Sequence, residues 1–478
     1  MNHTAATVPL MQAGSAREIF DRQRAAGLAN PFLSLEERRH ALLALETLLV
    51  KHQQEIAEAI SRDFGHRSLH ETQLLEIFPV VSGLADARRR LKKWMKPQHR
   101  HVSFWFMGAQ NRLIPQPKGV VGIISPWNYP LQLALSPLTI ALAAGNRSMI
   151  KMATHSQELC RLLHQLISRV LPEELVAFLP GVSASEFTSL PFDHLIFTGS
   201  PRSGRTVMKT AADHLTPVTL ELGGKSPTIV ASDFDIDKAA DRILYVKYMN
   251  AGQTCVAPDY LFLPENRAQA FVERAKKLIQ TRYPRLDTAD YTSIIDTKAF
   301  ARLMDCLRDA RDKGATIVNL LPGAEPDEIL KKIPPTLVLD VTDDMALMQQ
   351  EIFGPLLPIK TYRDLDQAIA YINGRPRPLA LYLFTHDRAL QKKVIFNTLS
   401  GGVCINDCAM HVVQHDLPFG GIGNSGMGHY HGYEGFLEFS KLRPVFKQAS
   451  MPASALLFPP YGKIFERIYR LMIKMRWL

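Results

Sequence analysis

The stretch from Gly119 to Asn146 constrains the fold more than any other part of the chain. It carries no charge, yet Pro126, Pro130 and Pro137 interrupt it and Asn128 sits inside it. A run this long passes a crude membrane-span test, but prolines remove backbone donors and break a continuous helix. It reads instead as buried core in three parts. Gly119-Val120-Val121-Gly122-Ile123-Ile124 is a short β-branched strand, Ser125 to Pro130 is a loop, and Leu131 to Ala144 is a Leu- and Ala-rich helix. A fully apolar strand followed by a helix is a building unit of a parallel sheet.

The same alternation continues along the chain. Strands are predicted at Met149-Ile150-Lys151, Leu195-Ile196-Phe197-Thr198 and Pro217-Val218-Thr219-Leu220, with helical material between the first two. A second α/β pattern runs from Tyr260 to about Val403, with strands at Thr316-Ile317-Val318 and Thr336-Leu337-Val338-Leu339 and a helix over Phe300 to Lys313. Upstream, Ser34-Leu35-Glu36-Glu37 forms a capping box. The spacing of Leu42, Leu45, Leu48, Leu49, Ile56 and Ile60 then predicts one helix ending before Gly65, with more helical patterning to about Trp94.

At 478 residues the chain exceeds what one core supports, so at least two domains are expected. With 46% hydrophobic and 21% charged residues it is an ordinary globular protein, which excludes disordered and collagen-like classes. Five cysteines at Cys160, Cys255, Cys306, Cys404 and Cys408 match neither a disulfide framework nor a metal site, so a reducing, cytoplasmic setting and no metal are expected. Residues Met1 to Phe20 lack the pattern of a secretory leader.

The formal charge of +10 matters by where it clusters. Arg88, Arg89, Arg90, Lys92, Lys93, Lys96 and Arg100 surround Trp94, but a charged run on a helix reads as a solvated face, and no nucleic-acid partner is expected. At the C-terminus Lys463, Arg467, Arg470 and Lys474 recur at helical steps, with Ile464, Phe465, Ile468, Leu471, Met472 and Met475 largely opposite. Such a basic amphipathic helix can lie on an anionic membrane surface as a peripheral contact, or pack its apolar stripe on protein.

Two segments bear chemistry. Asn250 to Pro258 sets the thiol of Cys255 among small residues, Gly252 and Pro258, which suits a nucleophile at a cleft mouth. Glu221-Leu222-Gly223-Gly224-Lys225 ends an apolar strand with a carboxylate beside a Gly-Gly turn. Either alone is ordinary. Together with Ser125-Pro126-Trp127-Asn128, Phe197-Thr198-Gly199-Ser200, Glu351-Ile352-Phe353-Gly354-Pro355 and the tail Leu417 to Gly428, in this order, they resemble the aldehyde dehydrogenase superfamily.

The resemblance spans nearly the whole chain. Within the superfamily, Arg375 to Tyr382 and Gly428-His429-Tyr430-His431-Gly432 look like the branch of fatty and aromatic aldehyde dehydrogenases. Asp63 to Ser68, Glu71-Thr72 and Pro459 to Lys463 are similar to the bacterial coniferyl aldehyde subgroup.

The resemblance implies two Rossmann-like α/β domains with parallel sheets and a small β oligomerisation arm. The expected division is 1–101 and 118–220 for NAD(P) binding, 221–405 for the catalytic thiol, and 102–117 with 406–478 for arm and tail. It implies oxidation of an aldehyde, coniferyl or a related aromatic one first, to the carboxylic acid. The alternatives are a medium- or long-chain fatty aldehyde dehydrogenase or a CoA-acylating enzyme. In the expected chemistry the Cys255 thiolate adds to the carbonyl, Asn128 and the Cys255 N–H hold the oxyanion, and Glu221 activates the water that hydrolyses the thioester.

For NAD or NADP, no Gly-x-Gly-x-x-Gly follows the first strand. Gly199, Ser200 and Gly204 open a helix near the pyrophosphate. By resemblance Ser125, Trp127 and Phe353 line the site, Lys151 reaches the adenine ribose and Glu351 the nicotinamide ribose. Where the family commonly reads Lys-Pro-Ser-Glu, this chain has Lys151-Met152-Ala153-Thr154. Loss of that carboxylate relieves repulsion of a 2′-phosphate, so NADP is expected to be tolerated beside NAD. A homodimer built through the arm completes the expectations.

Overall fold

The computed structural model describes residues 15–451 and 453–476. The first fourteen residues of the leader expectation lie outside it.

Two α/β sheets and an antiparallel ribbon make up the fold. The first sheet runs Gly426–Met427, Val218–Leu222, His194–Gly199, Val120–Ser125, Arg147–Met152, Val176–Phe178, parallel except for its first strand. The second runs Thr316–Asn319, Thr336–Leu339, Leu356–Tyr362, Tyr260–Pro264, Pro227–Val230, Ala380–Phe384, Gly402–Ile405, again with one antiparallel edge. Gln110–Pro117 pairs with Gln98–Arg100 on one side and along its whole length with Ser440–Lys447 on the other.

The uncharged stretch is core, and Pro137 lies inside its helix instead of ending it. Strand Val120–Ser125 is buried throughout. Its Val120 and Ile124 join one hydrophobic cluster while Val121 and Ile123 join another, because helices cover both faces. Helix Pro130–Ala144 packs on this strand and on helices Leu35–Lys51, Phe78–Trp94 and Gly432–Glu438, so it is apolar almost all round. Pro130 stands in its first turn, where no N–H is needed, and Gly145 closes it at φ 90°. No helix among the described residues is long and apolar enough to cross a membrane.

Two expectations change. The single helix drawn from Ser34 to Gly65 is two, Leu35–Lys51 and Gln53–Phe64, broken at His52 with φ −110° and ψ 20°. The break lets the first helix pack on Phe78–Trp94 while the second, with Ile56, Ile60 and Phe64 buried, packs on helix Gln157–Ile167. The boundary at 220/221 falls inside strand Val218–Leu222, so Glu221 stands on the first sheet. Nor is 406–478 all arm and tail. Gly426 pairs with Glu221 at that sheet's edge, and Gly432–Glu438 packs on the buried helix. Around Trp94, which is buried against Phe436, Arg88 pairs with Glu46, and Arg89 and Arg90 with Asp86.

Candidate active site

A cleft of about 340 Å³ opens where the carboxyl ends of the first sheet's strands face the loops that lead into the strands of the second. The loop after strand Val120–Ser125 brings Trp127 and Asn128, strand His194–Gly199 ends in Gly199 and Ser200, and strand Val218–Leu222 brings Glu221. The second domain adds Cys255 and the Glu351-to-Phe353 turn. Eight of the sequence-predicted residues therefore meet on one surface: Trp127, Asn128, Gly199, Ser200, Glu221, Cys255, Glu351 and Phe353.

The thiol sits in a strained loop. After helix Ile236–Tyr248 the chain passes through Asn250 and Ala251, both left-handed at φ 51°. Each such residue costs on the order of 1–3 kcal/mol and persists only where its surroundings demand it. Gly252 follows at φ 75°, and a Cβ there would lie 2.3 Å from the Gly354 carbonyl oxygen, so only glycine permits this approach. Gln253 locks the turn by donating to the Asn250 and Ser293 carbonyls at 3.0 Å and accepting from Ile295 N–H at 2.9 Å. Asn128 Nδ2 lies 3.2 Å from the Gln253 carbonyl, which sets this amide beside the thiol loop.

Burial dominates the electrostatics. It pushes the Cys255 thiol up to about 12, with Glu351 and Glu221 adding repulsion, while the N–H groups of Cys255 and Val256 act the other way. Glu221 is 2% exposed, neither of its oxygens has a partner, and burial holds its carboxyl well above the usual range. Glu351 is raised to about 8, chiefly by burial and then by Asp259. Among the described residues no cluster of His, Cys, Asp and Glu suits a metal ion.

A dinucleotide fits what the cleft leaves open. Glu351 Oε1 is buried without a partner, as a carboxylate held ready for a hydroxyl donor would be. Phe353 meets Trp127 edge-on at 5.4 Å, giving an apolar wall. Three predicted residues stand off the cleft. Ser125 is buried and its Oγ donates to the Pro130 carbonyl at 3.1 Å, which secures the loop. Gly204 lets helix Pro201–Ala212 approach the sheet, since a Cβ there would lie 2.8 Å from Leu222 Cδ2. Lys151 Nζ donates to the Met152 carbonyl at 2.9 Å. At the helix start, Ser200 Oγ accepts the Ser203 N–H at 3.3 Å.

Sequence reading missed Arg302, Lys225 and Asp259. Arg302 donates to the Ile352 carbonyl at 2.6 Å, and Asp259 accepts the Ile352 N–H at 2.9 Å. Lys225 pairs with Asp259 and donates to the Leu347 and Gln350 carbonyls. Together they clamp the turn that carries Glu351 and Phe353. Lys225 lay within a quoted motif, whereas nothing local singles out Arg302.

A thiol, an amide and an unpartnered carboxylate meet in one cleft between the two sheets, and the family profile gives this arrangement its class. The chain belongs to the aldehyde dehydrogenase family, whose profile, described as "Aldehyde dehydrogenase family", matches residues 1–445. It is 52% identical over 460 residues to a "Probable coniferyl aldehyde dehydrogenase" of Pseudomonas aeruginosa, covering 95% of this chain and 96% of that one. It is 44% identical to the "Coniferyl aldehyde dehydrogenase" of a Pseudomonas sp., covering 98% of each. A solved structure, "Substrate bound state of Staphylococcus Aureus AldH", superimposes with a TM-score of 0.89 at 35% identity, covering 96% of this chain and 100% of that chain. PnpE, solved in complex with nicotinamide adenine dinucleotide, follows at 0.82 and 25%, covering 91% and 89%. The protein oxidises an aldehyde to the carboxylic acid with NAD or NADP.

Proposed function

We propose that Cys255 is the nucleophile, Asn128 the oxyanion donor and Glu221 the base of this oxidation, with coniferyl aldehyde or a related aromatic aldehyde as substrate. The observation that carries the reading is Glu221, buried at the cleft with both oxygens unpartnered opposite the thiol loop. Burial without donors raises the proton affinity of this carboxyl, so once ionised it takes a proton from water more readily than an exposed carboxylate.

The Cys255 thiol proton passes to solvent, and the sulfur bonds to the aldehyde carbon as the carbonyl π electrons move to oxygen. The negative charge on oxygen is met by the Asn128 amide and the Cys255 N–H. What NAD or NADP supplies when bound is a hydride acceptor. Glu221 then takes a proton from water as that water's oxygen bonds to the thioester carbon. The carbon–sulfur bond breaks, the acid leaves, and Glu221 passes its proton to the departing thiolate, which restores the thiol. Trp127, Phe353 and Leu133 keep the cleft apolar, which limits bulk water.

The aromatic substrate follows the names of the two Pseudomonas relatives. Aliphatic aldehydes of medium or long chain are the second reading, supported by the apolar Leu133, Leu379 and Phe419 in the lining. Tolerance of NADP rests on Thr154, which is exposed at the turn after strand Arg147–Met152. A homodimer through the ribbon of Gln110–Pro117 and Ser440–Lys447 completes the assembly. Helix Lys463–Lys474 leaves Ile464, Tyr469, Leu471 and Ile473 exposed, and a second copy of the chain covers them. Contact with an anionic membrane through its basic side is the second reading. A cytoplasmic location rests on five unpaired cysteines.

The test is a rapid-mixing record of cofactor reduction with coniferyl aldehyde and each cofactor, for the native protein and Glu221→Gln. Turnover by the first and a stall near one equivalent by the second support the assignment. Reduction with aliphatic aldehydes alone overturns the aromatic reading.

A further inference from the structure

None of the residues between Phe64 and Ile77 lines the cleft, yet this segment holds two fully buried charged residues, Arg67 and Glu76, and a half-buried one, Glu71, that hydrogen-bond the loops framing it. Arg67 is 0% exposed. Its Nη1 donates to Glu76 Oε1 at 2.7 Å and to the backbone carbonyl of Asn128 at 2.9 Å. Its guanidinium lies between the rings of Phe64 and Tyr129, at 5.0 and 4.9 Å from their centroids. Tyr129 in turn shares a 2.7 Å hydrogen bond between its hydroxyl and Thr254 Oγ1, next to the thiol.

Glu76 uses its other oxygen on the same loop. Oε2 accepts the N–H groups of Leu131 and Gln132 at 2.8 and 3.1 Å, so the carboxylate caps the buried helix where that loop enters it. Glu71 holds the opposite side. Both its oxygens lie 3.0 Å from the Asn250 N–H, at the first of the two left-handed residues, and Oε2 also accepts the Thr292 hydroxyl at 2.9 Å. The two sides meet at one atom: the Asn128 carbonyl accepts from Arg67 and from Asn250 Nδ2, the latter at 3.0 Å.

A buried ion pair is a poor source of stability, because desolvation offsets the attraction. What this one does is tie the Asn128 loop to the Cys255 loop. We infer that Arg67, Glu71 and Glu76 are positioning residues that set the oxyanion donor against the thiol. The inference rests on the roles of Asn128 and Cys255 proposed above. Misplacement of a reacting group by about 1 Å costs up to about a hundredfold in rate, so a partial shift is expected to cost about tenfold.

The experiment compares the pre-steady-state rate of cofactor reduction and the thermal midpoint for Arg67→Lys, Glu71→Gln, Asn128→Ala and the two doubles with Asn128→Ala. If position is the role, Arg67→Lys slows the burst about tenfold with little change in aldehyde KM, but less than about threefold once Asn128 is already Ala. The fall in thermal midpoint stays the same in both backgrounds, since lost packing does not depend on the Asn128 amide. Glu71→Gln leaves the Arg67–Glu76 pair intact, acts through Asn250 and shows the same pattern, so it decides the matter if Arg67→Lys does not fold. Equal fold losses in both backgrounds, or a burst untouched by either variant, overturn the inference. A burst unaffected by Asn128→Ala alone refutes the oxyanion reading itself.

Discussion

Gly223→Ala tests how the cofactor is held. Gly223 follows the strand bearing Glu221, and the Glu351 carboxylate folds over it. A Cβ built at 223 would lie 2.1 Å from Glu351 Oε2 and 2.6 Å from both Cδ and Oε1. Something must move, and the Glu351 backbone cannot, because Arg302 and Asp259 clamp the next residue from both sides. The carboxylate is the end of a flexible side chain, so it swings away at little cost to folding. With the assay run above pH 8, where Glu351 is ionised, losing one hydrogen bond to this charged group removes about 1.5–3 kcal/mol. At about 1.4 kcal/mol per tenfold, NAD should bind roughly 10- to 150-fold more weakly. Gly224→Ala is the matched control, since its Cβ would come no nearer than 3.4 Å to Pro378 Cα, an ordinary contact. The assay is a fluorescence titration with NADH beside a thermal melt of each variant. Native-like affinity in Gly223→Ala, or weakening that appears only with a large drop in thermal midpoint, refutes the reasoning.

Further outcomes follow from the same geometry. Glu221→Gln should lose about 10²–10⁴ in steady-state turnover while keeping a burst near one equivalent, read by stopped-flow absorbance. Because burial lifts the Cys255 thiol to about 12, alkylation by iodoacetamide should quicken about tenfold per pH unit across the neutral and alkaline range. Above pH 8, where Glu351 is ionised, Glu351→Gln should speed it further. Glu351 also makes stability depend on pH. Its folded pKa is raised from 4.5 to about 8, so the native state keeps a proton that the unfolded chain releases. Stability is therefore lost as pH rises from about 4.5 to 8, at up to about 1.4 kcal/mol per unit, and Glu351→Gln should flatten that part of a denaturation series. Removal of residues 461–478 should weaken the dimer in sedimentation without touching the cofactor burst. Loss of binding to anionic vesicles instead would favour the membrane reading.

Local patterns carried much of this protein. The β-branched run at 119–124, the prolines around Trp127 and the uncharged helix identify a two-faced buried strand and its crossover, because burial on both faces leaves an unbroken apolar signature. The thiol in its glycine-rich loop and the carboxylate before Gly223-Gly224 were legible as motifs, since a close backbone approach admits few residue types. The break at His52 was not legible: helical spacing of Leu48, Leu49, Ile56 and Ile60 continues across it, and only packing on two different helices turns the chain. Gly204 and Ser125 stand in matched motifs, yet tertiary structure gives one to helix–sheet packing and the other to a loop hydrogen bond.

What tertiary structure alone decided is the meeting of segments far apart in sequence. Arg67, Asn128 and Asn250 converge on one carbonyl oxygen, and Arg302 and Asp259 grip one turn, with no periodicity or local motif to announce either. Sequence determines which short segments are strands, helices and reactive loops, because those choices depend on neighbours within a few residues. The position of one loop against another depends on how whole sheets and helices pack. Buried charges such as Arg67 and Glu76 reveal their partners only once that packing has excluded water from around them.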